Sequence, residues 1–373
     1  MFFRKFLLTA IILFLINPIS VLAAELKESR AIFDETFEWE TPEGARRTLD
    51  RIKRAGFNVY IPRVWLGDGV FWHTELAPKS HKWKYMPEPD YDPLAYLIKE
   101  AHSRGIEVHP WFTVMNRWRE FFPEYYDEGT PKHAFNVHIP EFRVFIVNLM
   151  LDVVKKYDVD GINLDFIRSR GLCVSKHCVT DYKARFNRDV LKDVKVYKET
   201  DHFKVEKKKE WTYLMNWNRI AVTDIVKNFS LKSKVIKPNL IISVATIVLI
   251  EDFRVQGADA LEWANNGWVD VIYHMDYYKK IHTRVFNNGK KQLKNPDAIT
   301  FLVGNVDWPD DDLNRGLEAF SRDSQMTAKV LNDARVHGNG VAMWTYKFLT
   351  DEQIEKIRSG PFKDVATPYW GRN

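Results

Sequence analysis

From about residue 30 onward the chain alternates between two hydrophobic rhythms, and it completes the alternation eight times. Short β-rich runs lie near 30–36, 58–64, 107–114, 160–166, 239–246, 270–278, 298–304 and 340–346. Each is followed by apolar residues at helical spacing. Local chemistry marks the helix ends. Thr41-Pro42 and Asp92-Pro93 each put an N-cap before a proline, Gly56 and Gly105 close those two helices, and Pro140 opens a third. A fifth helix is expected near 253–265 and a seventh near 314–336, and Thr350-Asp351-Glu352 caps a last one that stops at Gly360. Parallel strands need helical crossovers, and eight such pairs predict an α/β fold, a closed (β/α)8 TIM barrel. It should be one domain over 25–373, with long βα loops and an insertion after strand four that reaches about Glu210. That insertion is charged and poor in aliphatic residues, a composition that predicts partial mobility.

Residues 1–24 read as a secretory signal peptide. Arg4 and Lys5 form its basic start, Phe6 to Ile16 its apolar run, and Val21-Leu22-Ala23-Ala24 its small-residue cleavage region. The apolar run is short for a membrane span of about 20 residues, and Asn17-Pro18 interrupts its end. An exported protein, periplasmic or extracellular, is therefore expected, with no membrane partner after cleavage. The formal charge is +5; without Arg4 and Lys5 it is +3 (5 − 2). So small an excess, without a basic patch interleaved with aromatics, gives no reason to expect a nucleic-acid partner. In an oxidising compartment Cys173 and Cys178 are expected to form a local disulfide; a metal site with His177 is the weaker reading, since their spacing lacks the paired pattern of a zinc site. No metal or other cofactor is expected, and oligomeric state is not legible in the sequence.

In a barrel of this type chemistry sits on the βα loops, so the C-terminal strand ends supply the candidates. Strand one offers Asp34 and Glu35; strand two Arg63 and Trp65, then Asp68; strand three His109 and Trp111, then Asn116 and Arg117. Strand four, in the stretch DGINLDFIRSRG, offers Asn163, Asp165 and Arg168. Glu251 follows strand five; His274, Asp276 and Tyr277 end strand six; Asp307 and Trp308 follow strand seven; Trp344 ends strand eight. Acids, planar donors and aromatics on one face match carbohydrate chemistry. Glycoside cleavage needs two carboxyl groups flanking the bond, and aromatic rings cover the apolar faces of sugars. With 13 Trp in the chain, the cluster in loops two and three is hard to place in a core. A metal hydrolase built on His109, Asp165, His274 and Asp276 is the weaker reading, since no HExxH or His-x-His pattern supports it. A carbohydrate-binding barrel without catalysis is the alternative.

Four stretches carry a family resemblance: GFNVYIPRVWLGDGVFW, YDPLAYLIKEAHSRGIEVHPWFTVMNR, FNVHIPEFRVFIVNLMLDVVKKYDVDGINLDFIR and NNGWVDVIYHMDYY. Together they resemble the glycosyl hydrolase-like 10 family of secreted bacterial TIM-barrel proteins. The resemblance implies a glycosidase acting on an oligo- or polysaccharide. The chain departs from the family pattern at Asn163, where histidine is common, and at His274-Met275-Asp276, where Pro-Gln precedes the aromatic pair. DGINLDFI is also similar to the chitinase signature of family 18, but that alignment puts the proton donor on Ile167, which has no proton to give.

Asp165 is expected as nucleophile or base. Asp276 is the leading candidate acid, by analogy with barrels that pair strands four and six, with Glu251 second and Asp307 third. Arg63, Trp65, His109, Trp111, Asn116, Arg117, Asn163, Arg168, His274, Tyr277, Asp307, Trp308 and Trp344 are the expected substrate-binding set. The leader makes its own prediction: exported protein should begin near Ala24 or Glu25 on N-terminal sequencing, and a mature chain starting at Met1 would contradict it.

Overall fold

The protein is described by a computed structural model covering residues 26–370, except 89, 119 and 310–317. Residues 1–24, read above as the leader, lie outside the described residues, as does the first part of the expected seventh helix. No described helix is long and apolar enough to cross a membrane.

The strand runs form one parallel sheet that closes on itself. Its strands are β1 (Ser29–Asp34), β2 (Val59–Trp65), β3 (in two pieces, Glu107–Val108 and Trp111–Thr113), β4 (Gly161–Asp165), β5 (Ile241–Thr246), β6 (Val271–Asp276), β7 (Ile299–Gly304) and β8 (Gly340–Trp344). β1 pairs with both β8 and β2, which completes the barrel. His109-Pro110 breaks β3 because proline gives the ladder no N–H. Helices α1 (Pro42–Ala55), α2 (Pro93–His102) and α3 (Pro140–Lys156) start at proline in the first turn, as expected. The Thr41 and Asp92 side chains accept from the backbone N–H groups of Gly44 and Ala95. Gly56 ends α1 at φ 92, in the left-handed region that favours glycine.

Side chains alternate between two cores. Ala31, Phe33, Val59, Ile61, Trp111, Ala245, Tyr273, Leu302 and Ala342 fill the barrel interior. Their neighbours Ile32, Tyr60, Ile162, Leu164, Ile242, Val244, Ile272, Phe301, Val303 and Met343 face the helices. This two-residue period decides which strand-end groups reach the mouth. The opposite end is plugged. Leu26–Lys27 pairs with Ala366–Thr367, and Tyr369 and Trp370 pack beneath the interior cluster. Arg30 and Arg335 both donate to the buried Glu28 there, so that end serves stability.

The insertion after β4 is helical. α4 (Lys176–Phe186) and α5 (Val190–Glu199) precede a 28-residue helix α6 (Lys209–Ile236). A satellite core of Tyr182, Val190, Val194, Trp211, Leu214 and Trp217 holds them, together with the Cys173–Cys178 disulfide. That small core is the physical reason the expected mobility is replaced by helices. His138 is buried beside it. Its ring stacks on Trp217 with centroids 3.5 Å apart, and Nε2 meets Asn218 Oδ1 at 2.9 Å.

Burial pushes the His138 pKa down to about 3. An unfolded chain takes up that proton near pH 6.5 and the folded one refuses it until far lower. The stability so gained is complete above pH 6.5 and is lost as pH falls towards 3, at roughly 1.4 kcal/mol per pH unit. His138→Gln is therefore expected to lose less stability than wild type between pH 7 and 4.5 in urea unfolding. Equal losses would show that His138 is not the titrating group.

Candidate active site

The interior residues at the C-terminal strand ends form the mouth. Arg63 on β2 reaches Glu35, which follows β1, at 3.5 Å. Its guanidinium lies over the rings of Phe37 and Trp111, 5.1 and 5.3 Å from their centroids. Glu35, Arg63, Thr113, Asn116, Arg117, Trp118 and Arg170 line a cavity of about 1010 Å³. Asp165 is the register partner of Thr113 and ends β4 at 7% exposure. Phe166 then turns the chain at φ 48, and its N–H donates to Asp165 Oδ1 at 2.6 Å. A phenylalanine in this conformation is uncommon and marks a constrained strand end. A second depression, about 270 Å³, lies by Tyr277, Lys279, Asp307 and Trp308. Tyr277 stacks on Trp344 at 4.9 Å, and Trp344 faces Trp308 at 6.3 Å, so three rings form a wall beside it.

Electrostatics tie these groups together. Burial pushes the Asp165 carboxyl above the usual carboxylate range. Arg168, the Phe166 N–H, Trp111 and Arg63 oppose that shift without cancelling it. Tyr277 is held as a neutral phenol by burial and by the negative fields of Asp165 and Glu35. Arg168 and Arg170 both act on Asp165. Arg170 donates to Asn116, and Arg117 donates to the Ala134 carbonyl while its guanidinium covers Tyr126. Asn163 lies one inward layer below Asp165 and donates to Ser243 Oγ at 2.9 Å.

Several expected residues point elsewhere. Asp276 and His274 share the helix-facing side of β6, opposite to Tyr273 and Tyr277. Asp276 accepts from the His282 backbone and lies 3.2 Å from its ring, so it closes a loop rather than facing the mouth. His274 sits between Phe286 and Phe301, and burial pushes its pKa down to about 4. Glu251 opens α7 (Glu251–Val255) and accepts from Trp211 Nε1 at 2.6 Å and from the Tyr197 hydroxyl, away from the mouth. Asp307 is taken up by Arg322 at 2.8 Å. Trp65 is fully buried against Phe122, Phe135 and Phe145, because the β2–β3 register shifts between Arg63 and Trp65 and flips the tryptophan outward. His109 is in the plugged half, 3.2 Å from Glu107 and against Trp370. Trp72 and Trp83 are core residues as well, whereas Trp118 is exposed on the cavity wall.

Two groups in the mouth lie outside the expected catalytic and substrate-binding set. Glu35 stands at the end of strand one, outside the expected carboxylate pair; its odd-number register with Ala31 and Phe33 is the signal that selects it over Asp34. Asp34 turns outward to the Tyr60 hydroxyl at 2.6 Å, and burial pushes its pKa up to about 6. Arg170 follows Arg168 at a spacing of two, after a left-handed backbone at Arg170 itself that no periodicity announces.

Fold and mouth together define a (β/α)8 barrel that carries its chemistry on the loops after the strands. The chain belongs to the glycosyl hydrolase-like 10 family, whose model matches residues 32–297. It is 30% identical over 144 residues to glycosyl hydrolase YngK of Bacillus subtilis, covering 32% of this chain and 26% of that protein. Glycosyl hydrolase DigH of Escherichia coli is 26% identical over 141 residues, covering 31% of this chain and 32% of that one. The match thus spans under a third of either relative. The glycoside hydrolase domain of PgaB (BpsB) from Bordetella bronchiseptica shares the fold with a TM-score of 0.58 at 12% identity, over 88% of this chain and 95% of that domain.

The raised Asp165 carboxyl makes a stability claim. Between the ordinary carboxylate range and its raised folded value, the folded state holds a proton that the unfolded chain has released. Stability therefore falls as pH rises through that window, and the full cost persists above it. Asp165→Asn should accordingly unfold at a higher temperature than wild type at pH 7.5, with the gap narrowing towards pH 3.5. A lower melting temperature at pH 7.5 would contradict this.

Proposed function

We propose that the protein is an exported glycoside hydrolase that cleaves an oligo- or polysaccharide with Asp165 and Glu35 as its carboxylate pair. The observation that carries this reading is that both carboxylates occupy inward positions at the barrel mouth, with Arg63 acting on both. Family membership and relatives that are themselves glycosyl hydrolases support the reaction class. The leader-like residues 1–24 support export.

The environments divide the labour. Asp165 is buried and inclined to hold a proton, which suits it to protonate the leaving oxygen. This reverses the role expected for Asp165 from sequence, because burial outweighs the guanidiniums around it. Glu35 remains partly open to solvent and pairs with Arg63, which suits it to attack the anomeric carbon or to activate a water. As the glycosidic C–O bond breaks, the leaving oxygen takes the Asp165 proton while the sugar carbon gains positive character next to the Glu35 carboxylate. The Tyr277–Trp344–Trp308 wall covers an apolar sugar face.

A screen of aryl glycosides and cell-wall polysaccharides tests the proposal. Glu35→Gln should lower turnover on every substrate found by about 10²–10⁴-fold. Asp165→Asn should lower it by a similar factor on polysaccharides but much less on activated aryl glycosides, whose leaving groups need little protonation. Full activity of Glu35→Gln on any substrate, or of Asp165→Asn on a polysaccharide, would overturn the pair. A glycan that wild type binds but leaves uncut would make the barrel a binding module instead.

A further inference from the structure

Asp68, in the loop after β2, takes no part in the carboxylate pair. Its side chain is fully buried. Among the described residues it accepts from no backbone N–H, although an aspartate in a turn ordinarily does. Oδ1 has no partner there, and Oδ2 meets a single group, Nδ1 of His81, in a short hydrogen bond. The loop is shaped to bring these two residues together. A Cβ on Gly67 would collide with the Asn116 carbonyl, and one on Gly69 with the backbone of Lys79 and Ser80. The two glycines thus let the segment around Asp68 pass between its neighbours. Beyond them the Val70 N–H donates to the Pro78 carbonyl at 3.0 Å, and the Ser80 N–H to the Val70 carbonyl at 2.9 Å. His81 is the next residue, so the backbone that carries it is tied to the backbone that carries Asp68.

A carboxylate can only accept, so Nδ1 of His81 carries the ring hydrogen. Nε2, on the other edge of the uncharged ring, then presents a lone pair. The imidazole is 42% exposed and lines the 1010 Å³ cavity together with Glu35 and Arg63. Nε2 has no hydrogen-bond partner among the described residues. The other acids lining the cavity are engaged elsewhere. Glu35 pairs with Arg63, Glu38 with Arg47 at 3.1 Å, and Glu40 accepts from the Lys84 N–H at 2.7 Å. Arg63 lies close enough to feel the charge of Asp68 as well as those of Glu35 and Asp165, which ties the Asp68–His81 pair to the centre of the mouth. Covering a buried carboxylate needs no ring in the cavity; a backbone N–H would do it. The arginines and lysines of the cavity wall can only donate, and Nε2 adds a neutral acceptor to them.

We propose that His81 binds the glycan, its Nε2 accepting a hydrogen bond from a sugar hydroxyl, and that Asp68 is a positioning residue that fixes the tautomer and direction of the ring. The proposal rests on the glycoside-hydrolase reading of the site. A carboxylate behind an imidazole sets which nitrogen accepts and where it points. The braced loop holds that direction before the sugar arrives, so little ordering is left to do on binding.

Two measurements test this. Long-range proton–nitrogen NMR of protein labelled with 15N-histidine, at about pH 8.5 where an ordinary imidazole is uncharged, reads the tautomer. His81, assigned by the signals lost in His81→Ala, should carry its hydrogen on Nδ1. In Asp68→Asn the new amide can donate to Nδ1, and the hydrogen should move to Nε2. Kinetics then follow on the aryl glycoside that wild type cleaves fastest. His81→Ala and Asp68→Asn should each raise KM about tenfold, the loss of one hydrogen bond, with kcat nearly unchanged. The double variant should lose no more than either single one, because both changes remove the same contact. Added imidazole should restore KM in His81→Ala and not in the double variant. Circular dichroism checks folding, and the exposed His81 keeps the test open if Asp68→Asn does not fold. A wild-type ring with its hydrogen on Nε2, additive losses, or a His81→Ala variant that imidazole leaves unchanged would each overturn the proposal. An unchanged KM in His81→Ala on a glycoside that wild type cleaves would remove this role alone. A wild type that cleaves no glycoside would remove the hydrolase reading and this role with it.

Discussion

Closure of eight parallel strands imposes a two-residue period on every strand end, and the chemistry of the mouth depends on it. A residue one position off that register faces the helices, however suitable its side chain. Glu35 and Asp34 are adjacent, yet one pairs with Arg63 at the mouth and the other accepts from Tyr60 behind the sheet. Tyr277 and Asp276 divide in the same way. The same closure fixes the depth of each layer, so Asn163 bonds to Ser243 inside the barrel while Asp165, two residues on, reaches the rim.

Within the mouth, burial and charge pull in opposite directions, and the balance gives Asp165 its character. Three guanidiniums act on its carboxylate, but removal from water wins and the carboxyl is driven towards its protonated form. This is costly to the fold and useful to a proton donor. Such a cost stored beside partly buried arginines is what marks the mouth as the candidate functional site, because stability alone would favour apolar packing there. The β4 loop that carries Arg168 and Arg170 is tied down a few residues later by the Cys173–Cys178 disulfide, and Ser169 is bonded to the Gln256 carbonyl. The insertion thus acts as a brace for one wall of the mouth.

Much of the fold was legible because it is local. Proline at the helix starts, glycine at the ends and the two periodicities mark eight strand–helix units without any knowledge of contacts. The site was less legible for two reasons. Tertiary irregularities shift registers: the slip between Arg63 and Trp65 turns Trp65 outward, and the break at His109-Pro110 leaves His109 in the closed end. Analogy also displaced a rule already present in the chain, since His274 and Asp276 cannot share a face with Tyr277 in one strand. The tryptophans of the second loop, hard to place in a core from sequence, are core residues: Trp72 donates to Asp152 and Trp83 to the Tyr85 carbonyl, which satisfies their N–H groups there. The helices of the insertion depend on a satellite core and a disulfide, neither of which shows in its average composition.

The central claim is that Glu35 supplies the carboxylate at the sugar carbon opposite Asp165. Chemical rescue addresses it directly: Glu35→Ala assayed with and without sodium azide on an activated aryl glycoside that wild type cleaves. The expected result is a nearly inactive variant whose turnover returns with azide, yielding a glycosyl azide, since the small anion occupies the space of the missing carboxylate. A Glu35→Ala variant as active as wild type, or an inactive one that azide leaves unchanged and without azide product, would contradict it.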